Sequence, residues 1–263
     1  MNSPSQSSSA PESSGASRPG GVGAYLASTR RPFYSLTLCL PLLVLYEGLV
    51  LYGGTAQGDL RNAGDVWLRA LLQAFGLSAH QAFLAMLFGL MIAIPFTYPA
   101  SRPVRPRYWL FMALEAWMYS LALGVGLGAV LAAVSVAPPA LGLWLAGPLG
   151  GEEARMTARL LSQSLGAGLF EELVFRVMIV GGLAWAFSRW THRKAAMALA
   201  VGLGALAFSL AHYLGPEAYR FDWYGFWFRL LAGVVFSVLY WHRGFGVTAC
   251  THALYDLQVM LGG

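Results

Sequence analysis

Charge is scarce in this chain, and that scarcity excludes most soluble classes. Asp, Glu, Lys and Arg make up 11% of the residues while 57% are hydrophobic, against roughly 25% charged in a soluble domain. So few ionisable groups cannot clothe the chain in polar surface, and a polytopic membrane protein is the class that fits. Cysteine is nearly absent too. Cys39 and Cys250 both lie in apolar runs, give neither a disulfide framework nor a metal-ligand spacing, and read as small packing residues. Acids are fewer than bases, 12 against 17. The bases, however, fall in short loops between apolar runs, a pattern of membrane orientation that argues against nucleic acid as a partner. The first residues lack an apolar run: 1–25 are rich in Ser, Pro and Gly and read as a disordered polar tail, not a cleaved signal. There is no repeat of fixed period and no inverted duplication. Clusters such as Gly124-Val125-Gly126-Leu127-Gly128 predict close helix–helix approach rather than a phosphate loop, which needs a soluble strand-to-helix context.

What is present is a series of apolar segments, at about 33–53, 79–98, 108–136, 158–188, 195–214, 224–241 and 245–262. At ~1.5 Å per residue each crosses ~30 Å of hydrocarbon or nearly so. The fold expected is all-α: a polytopic bundle of about seven transmembrane helices (six to eight), N-terminus inside, with 140–149 as loop or re-entrant piece. Residues 26–107 hold the first two spans, and 108–263 form a helical core. With the N-terminus inside, the inner regions carry Arg18, Arg30, Arg31, Arg102, Arg105, Arg107, Arg189, Arg193, Lys194 and Arg243 against the single acid Glu12. The outer loops carry Arg61, Arg69, Arg155, Arg159, Arg220 and Arg229, matched by Asp59, Asp65, Glu152, Glu153, Glu217 and Asp222. The excess of bases on one side agrees with the positive-inside rule. The lipid bilayer is therefore a partner, and the location expected is a multi-pass protein of a bacterial inner (cell) membrane.

Three sites break the apolar pattern. Phe170-Glu171-Glu172-Leu173-Val174-Phe175-Arg176 sets three charges in one hydrophobic helix. Phe208 and His212 lie four apart near the end of the fifth segment, and His252 and Asp256 four apart in the seventh. Ionisable side chains inside a bilayer are costly, face protein or water, and are functional candidates by default. Glu172 and Arg176 share a helix face in the favourable acid-first order, so an ion pair between them would neutralise most of the local charge. Glu171 is then the carboxylate without a local partner, suited to act as a general base on water. Taken singly, each Glu or His reads as well as interhelical hydrogen-bond glue; together they form a set able to polarise a water molecule or to bind a divalent metal such as zinc. Glu115, near the inner interface, is expected to reach water or an arginine, and Glu47 to pair across helices.

At these residues the chain resembles a known family. Glu-Glu-x-x-x-Arg at 171–176, Phe-x-x-x-His at 208–212 and His-x-x-x-Asp at 252–256 are similar, in order and spacing, to the three motifs of the CPBP family. That family comprises the CAAX proteases and bacteriocin-processing (Abi) enzymes, among them the Ras-converting CAAX endopeptidase. The likeness spans about residues 110–262. It implies an intramembrane endopeptidase acting on a membrane-anchored protein or peptide. By it, Glu171 and His212 would activate water, His252 and Asp256 would position substrate and stabilise the oxyanion, and Glu172, Arg176 and Phe208 would support them. The family has been described both as metal-dependent and as glutamate-type. The metal-free route is favoured here, with no cofactor; in the zinc alternative the ligands would be Glu171, His212, His252 and Asp256. The CAAX endopeptidase type carries Asn where this chain has Asp256, and an ionised Asp cannot donate to an oxyanion. It must be protonated, orient His252 or bind a metal.

The inner charges give a measure of depth. Glu171 lies 18 residues before Arg189 and His212 lies 18 after Lys194, roughly 27 Å each, whereas His252 is nine after Arg243, roughly 13 Å. Two of the three sites thus fall toward the outer face, which suits cleavage of a secreted protein's anchoring tail. The competing classes are a proton-coupled transporter, for which inverted repeats and broken helices are wanting, and a non-catalytic immunity or scaffold protein on the same fold.

Overall fold

Backbone polar groups in hydrocarbon must bond within their own segment, so an apolar chain of this composition is driven to helices. The computed structural model describes residues 21–52, 61–78, scattered positions between 81 and 92, 104–133, 151–214 and 218–262. Among the described residues there are helices and no strands, as the sequence predicts. In chain order they are α1 (Gly21–Thr29), α2 (Pro32–Tyr52), α3 (Ala63–Ala74), α4 (Arg107–Ala133) and α5 (Gly151–Gly166). The α5 rod continues through two π-helical stretches, Ala167–Glu171 and Leu173–Val180, into α6 (Gly181–Phe187). Then come α7 (Arg193–Ala211), α8 (Trp223–Arg243) and α9 (Phe245–Gly262).

Four of the described helices are long and apolar enough to cross a membrane: Pro32–Tyr52, Arg107–Val130, Arg193–Ala211 and Trp223–Arg243. Leu110, Trp117, Met118 and Val125 of α4, with Trp227, Val235 and Val238 of α8, present their side chains outward. Such surface suits lipid, not water. The chain is an integral membrane protein. The expected segment 79–98 falls largely outside the described residues, and 140–149 and the first 20 residues fall wholly outside them. Residues 21–25, assigned above to the tail, open α1.

The bundle is organised around α9. One flank carries Ala249 and Ala253 into a cluster with Cys39, Tyr46, Leu165, Leu169 and Phe170. A second sets Val247 and Cys250 against Tyr34, Tyr108, Met112 and Ala116, and Tyr255 joins Leu123, Leu127, Ala232 and Phe236. A helix enclosed on three sides needs small residues so that neighbouring backbones can approach. Between α8 and α9 the chain turns on one residue, Gly244, at φ 80°, a left-handed conformation that favours glycine.

Two sequence expectations about charge change here. Arg61, Asp65 and Arg69 are not a solvated outer loop. Arg61 donates to both carboxylate oxygens of Glu47 at 3.1 Å and to Asp65 at 2.6 Å. Arg69 donates to Asp65 and to Glu47 at 2.6 Å each, and Tyr46 donates to Asp65 at 2.9 Å. Two acids and two bases cancel, so α3 can carry them inward: Asp65 and Arg69 are buried. Burial disfavours the charge on Arg61, but its bonds to Glu47 and Asp65 outweigh that and raise its pKa. Arg243, counted among the inner-loop bases, is buried as well. It makes a two-pronged contact with Glu115 and donates to Thr29 at 3.0 Å, so Glu115 reaches an arginine as expected.

Candidate active site

The first motif sits where the rod leaves α geometry. π turns hold more residues than α turns and are frequent at functional sites; here they embrace Glu171 and Arg176 with Glu172 between them. Two glycines mark what presses on this stretch. A Cβ at Gly168 would collide with the Ala249 carbonyl and Ala253 of α9, and one at Gly64 of α3 would stand 2.9 Å from the Glu171 backbone nitrogen.

Glu172 is fully buried. One oxygen accepts from Nδ1 of His252 at 2.7 Å, and the other lies 3.1 Å from Arg176 Nε. The predicted ion pair is therefore present by distance. It lacks hydrogen-bond alignment: among the described residues the Arg176 guanidinium has no aligned acceptor. The cation is instead laid over aromatic faces, 4.4 Å from the Phe208 ring centre and 5.3 Å from that of Phe236, distances at which the ring quadrupole attracts it.

Phe208 is the common neighbour of all three motifs. Its ring meets Phe175 at 5.1 Å, His212 at 4.8 Å and His252 at 6.1 Å. His212 ends α7, and its Nδ1 lies 2.8 Å from the Phe208 carbonyl oxygen. A carbonyl only accepts, so Nδ1 carries the hydrogen, and in the neutral ring Nε2 holds the free lone pair. His252 stacks on Phe236 at 4.4 Å. Its Nδ1 faces Glu172, and its Nε2 faces Asp256 at 3.5 Å. Glu171 is buried and accepts from Nδ2 of Asn62 at 2.9 Å.

The structure thus brings Glu171, Glu172, Arg176, Phe208, His212, His252 and Asp256 into one neighbourhood. The depth mismatch at His252 disappears, for two reasons. Arg243 is a buried ion-pair member, not a marker of the water surface. The π stretches also advance less per residue than the α rise assumed for Glu171. Asn62 is the residue that sequence reasoning passed over. A signal existed: Asn62-Ala63-Gly64-Asp65 is a helix-start pattern, a capping side chain with an acid three residues on. Among the described residues no three of His, Cys, Asp and Glu gather as ligands for a metal ion.

Residues 153–258 match the family model described as type II CAAX prenyl endopeptidase Rce1-like. That stretch is similar to the Rce1-like domain of the CPBP/CAAX protease family. It spans all three motifs, and the resemblance read from them stands. The family is one of membrane peptide hydrolases. No curated protein and no solved structure matches the chain. The matched domain begins within α5, so α1 to α4, including Asn62, lie before it.

Proposed function

We propose that the protein is an intramembrane endopeptidase of the glutamate type, hydrolysing a peptide bond of a membrane-anchored or C-terminal-tail substrate. The observation that carries this reading is the division of labour around Phe208. Among the described residues Glu171 has no cation bonded to its carboxylate and His212 keeps one ring nitrogen without a partner, while His252 is held between two carboxylates. Water placed between Glu171 and Nε2 of His212 gives its proton to Glu171 while its oxygen attacks the scissile carbonyl carbon. His252, facing a carboxylate at each nitrogen, acts as the donor to the oxyanion. Asp256, 3.5 Å from Nε2, orients that ring. Collapse of the tetrahedral species breaks the C–N bond, and the proton held by Glu171 passes to the departing amine.

A cavity of about 840 Å³ supports an apolar anchor on the substrate. It is walled by Leu173, Val177 and Phe245 and extends to Trp241, Arg30 and Arg193. Arg30 and Arg193 are among the bases counted as inner. In the N-inside orientation, which we also propose, the anchor would approach from the inner side, opposite to the outer-face expectation.

The test is cleavage of a co-expressed membrane substrate by Glu171→Gln, His212→Ala and His252→Ala variants. Each should fall by about 10²–10⁴-fold, with the wild type indifferent to chelator. Full activity in all three variants defeats the endopeptidase reading, and loss of wild-type activity on chelation defeats the metal-free mechanism.

A further inference from the structure

We propose that Asn62 is a positioning residue for the general base: its side-chain amide fixes the Glu171 carboxylate and is itself locked by the buried Arg61–Glu47–Arg69–Asp65 network. The inference rests on the endopeptidase reading for Glu171 and adds to it a residue lying outside the matched domain.

The amide does two things at once. Oδ1 accepts from the backbone N–H of Gly64 at 2.8 Å, capping α3, and Nδ2 donates to Oε1 of Glu171 at 2.9 Å. One partner only donates and the other, an ionised carboxylate, only accepts, so the amide is satisfied in one orientation and frustrated in the other. Asn62 is 5% exposed, so a wrong orientation would leave unpaired buried groups. The backbone has no freedom either. The N–H of Asn62 donates to the Tyr46 hydroxyl at 3.2 Å, and that hydroxyl donates on to Asp65. Asp65 is held from both sides by Arg61 and Arg69, each of which also grips Glu47 of α2. From the far side the Gln163 amide donates to the Arg61 carbonyl at 3.2 Å. The start of α3 is thus tied to α2 and α5, and Gly64 lets it rest on the backbone of Glu171.

A general base works only if its carboxylate meets the water within hydrogen-bond reach and in a fixed orientation. The bond from Asn62 engages Oε1 of Glu171 and leaves Oε2 to meet the water. Asn62 touches no reacting atom, so its effect should appear in turnover rather than in substrate binding.

The experiment separates this role from capping. Asn62→Asp and Asn62→Ser keep an oxygen that caps α3; the ionised Asp has no donor for Glu171, and the Ser hydroxyl stops one bond short of the amide nitrogen it replaces. Full-length variants in lipid nanodiscs are assayed with a fluorescence-quenched, farnesylated CAAX peptide, and thermal midpoints are measured alongside. The expected result is a fall in kcat of about tenfold or more for both, with KM within about twofold and midpoints near that of the wild type. Wild-type kcat in both variants overturns the proposal and leaves Asn62 a cap alone. A second readout needs no cleavage: a thermal double-mutant cycle between Asn62→Ser and Glu171→Ala. Non-additive shifts support the contact and additive shifts overturn it. An inactive wild type would therefore count against the endopeptidase reading while the cycle still decides the role of Asn62.

Discussion

Arg176 keeps its charge in a place where oxygen partners are few. Its guanidinium lies over Phe208 and Phe236, with the Glu172 carboxylate at its edge, so ring faces do what carbonyls and water do at a protein surface. Removing one member of a buried pair strands the other's charge, at about 3–5 kcal/mol. Arg176→Ala should therefore lower the unfolding midpoint markedly in detergent, and Arg176→Lys should recover only part of it, because an ammonium cannot lie flat on two rings. Equal midpoints for the Ala and Lys variants would dismiss the stacked guanidinium as a source of stability. The motif spacing on the sequence predicts the Glu172–Arg176 pair but not this aromatic support. Phe236 comes from α8, sixty residues along the chain from Arg176, and carries no polar signal that would draw it to the motif.

Helix contacts divide the glycines into two kinds that sequence alone treats alike. Gly168 faces the Ala249 carbonyl and Ala253 with no room for a methyl, whereas Gly126 of α4 has open space before it. Gly168→Ala should push the π stretch off α9 and cost about 1–3 kcal/mol through overpacking, weakening the Glu172–His252 contact and so turnover. Gly126→Ala should be silent in both. Unfolding midpoints together with peptide cleavage would check the pair, and a silent Gly168→Ala would show that α9 does not set the position of Glu172. Long apolar helices were legible because a run such as Phe33–Val50 has no competing pattern. The helix expected at 158–188 was legible as a continuous rod, but not its π geometry, which depends on what packs against it. α3 was hidden because its arginines and aspartate look like loop charges until their partner Glu47, on another helix, is known.

Across the bundle, the helix ends near Arg30 and Arg243 are linked to the site by α8 and α9. Arg30 donates to the Trp241 carbonyl at 2.7 Å, Arg243 grips Glu115, and Gly244 starts the helix that carries His252. The proposed N-inside orientation places Trp190, in the α6–α7 connection, on the inner side, and Tyr219 and Phe221, before α8, on the outer side; all three are exposed. Single cysteines at 190 and 219, introduced with Cys39 and Cys250 replaced by Ala, should react with a membrane-impermeant maleimide only from their own sides. Labelling from the opposite sides would invert the topology. Internal pairs take Arg243 from the inner count of the charge asymmetry that suggests the orientation, and Arg61, Arg69 and Asp65 from the outer count. The exposed arginines near the loops still carry the asymmetry.

Asn62 makes one last point about order. A side chain that both begins α3 and touches Glu171 makes the fraying of that helix and the disorder of the carboxylate a single equilibrium. Whatever binds the site and holds Glu171 still must therefore slow the opening of α3, and whatever loosens α3 must blur the site by the same free energy.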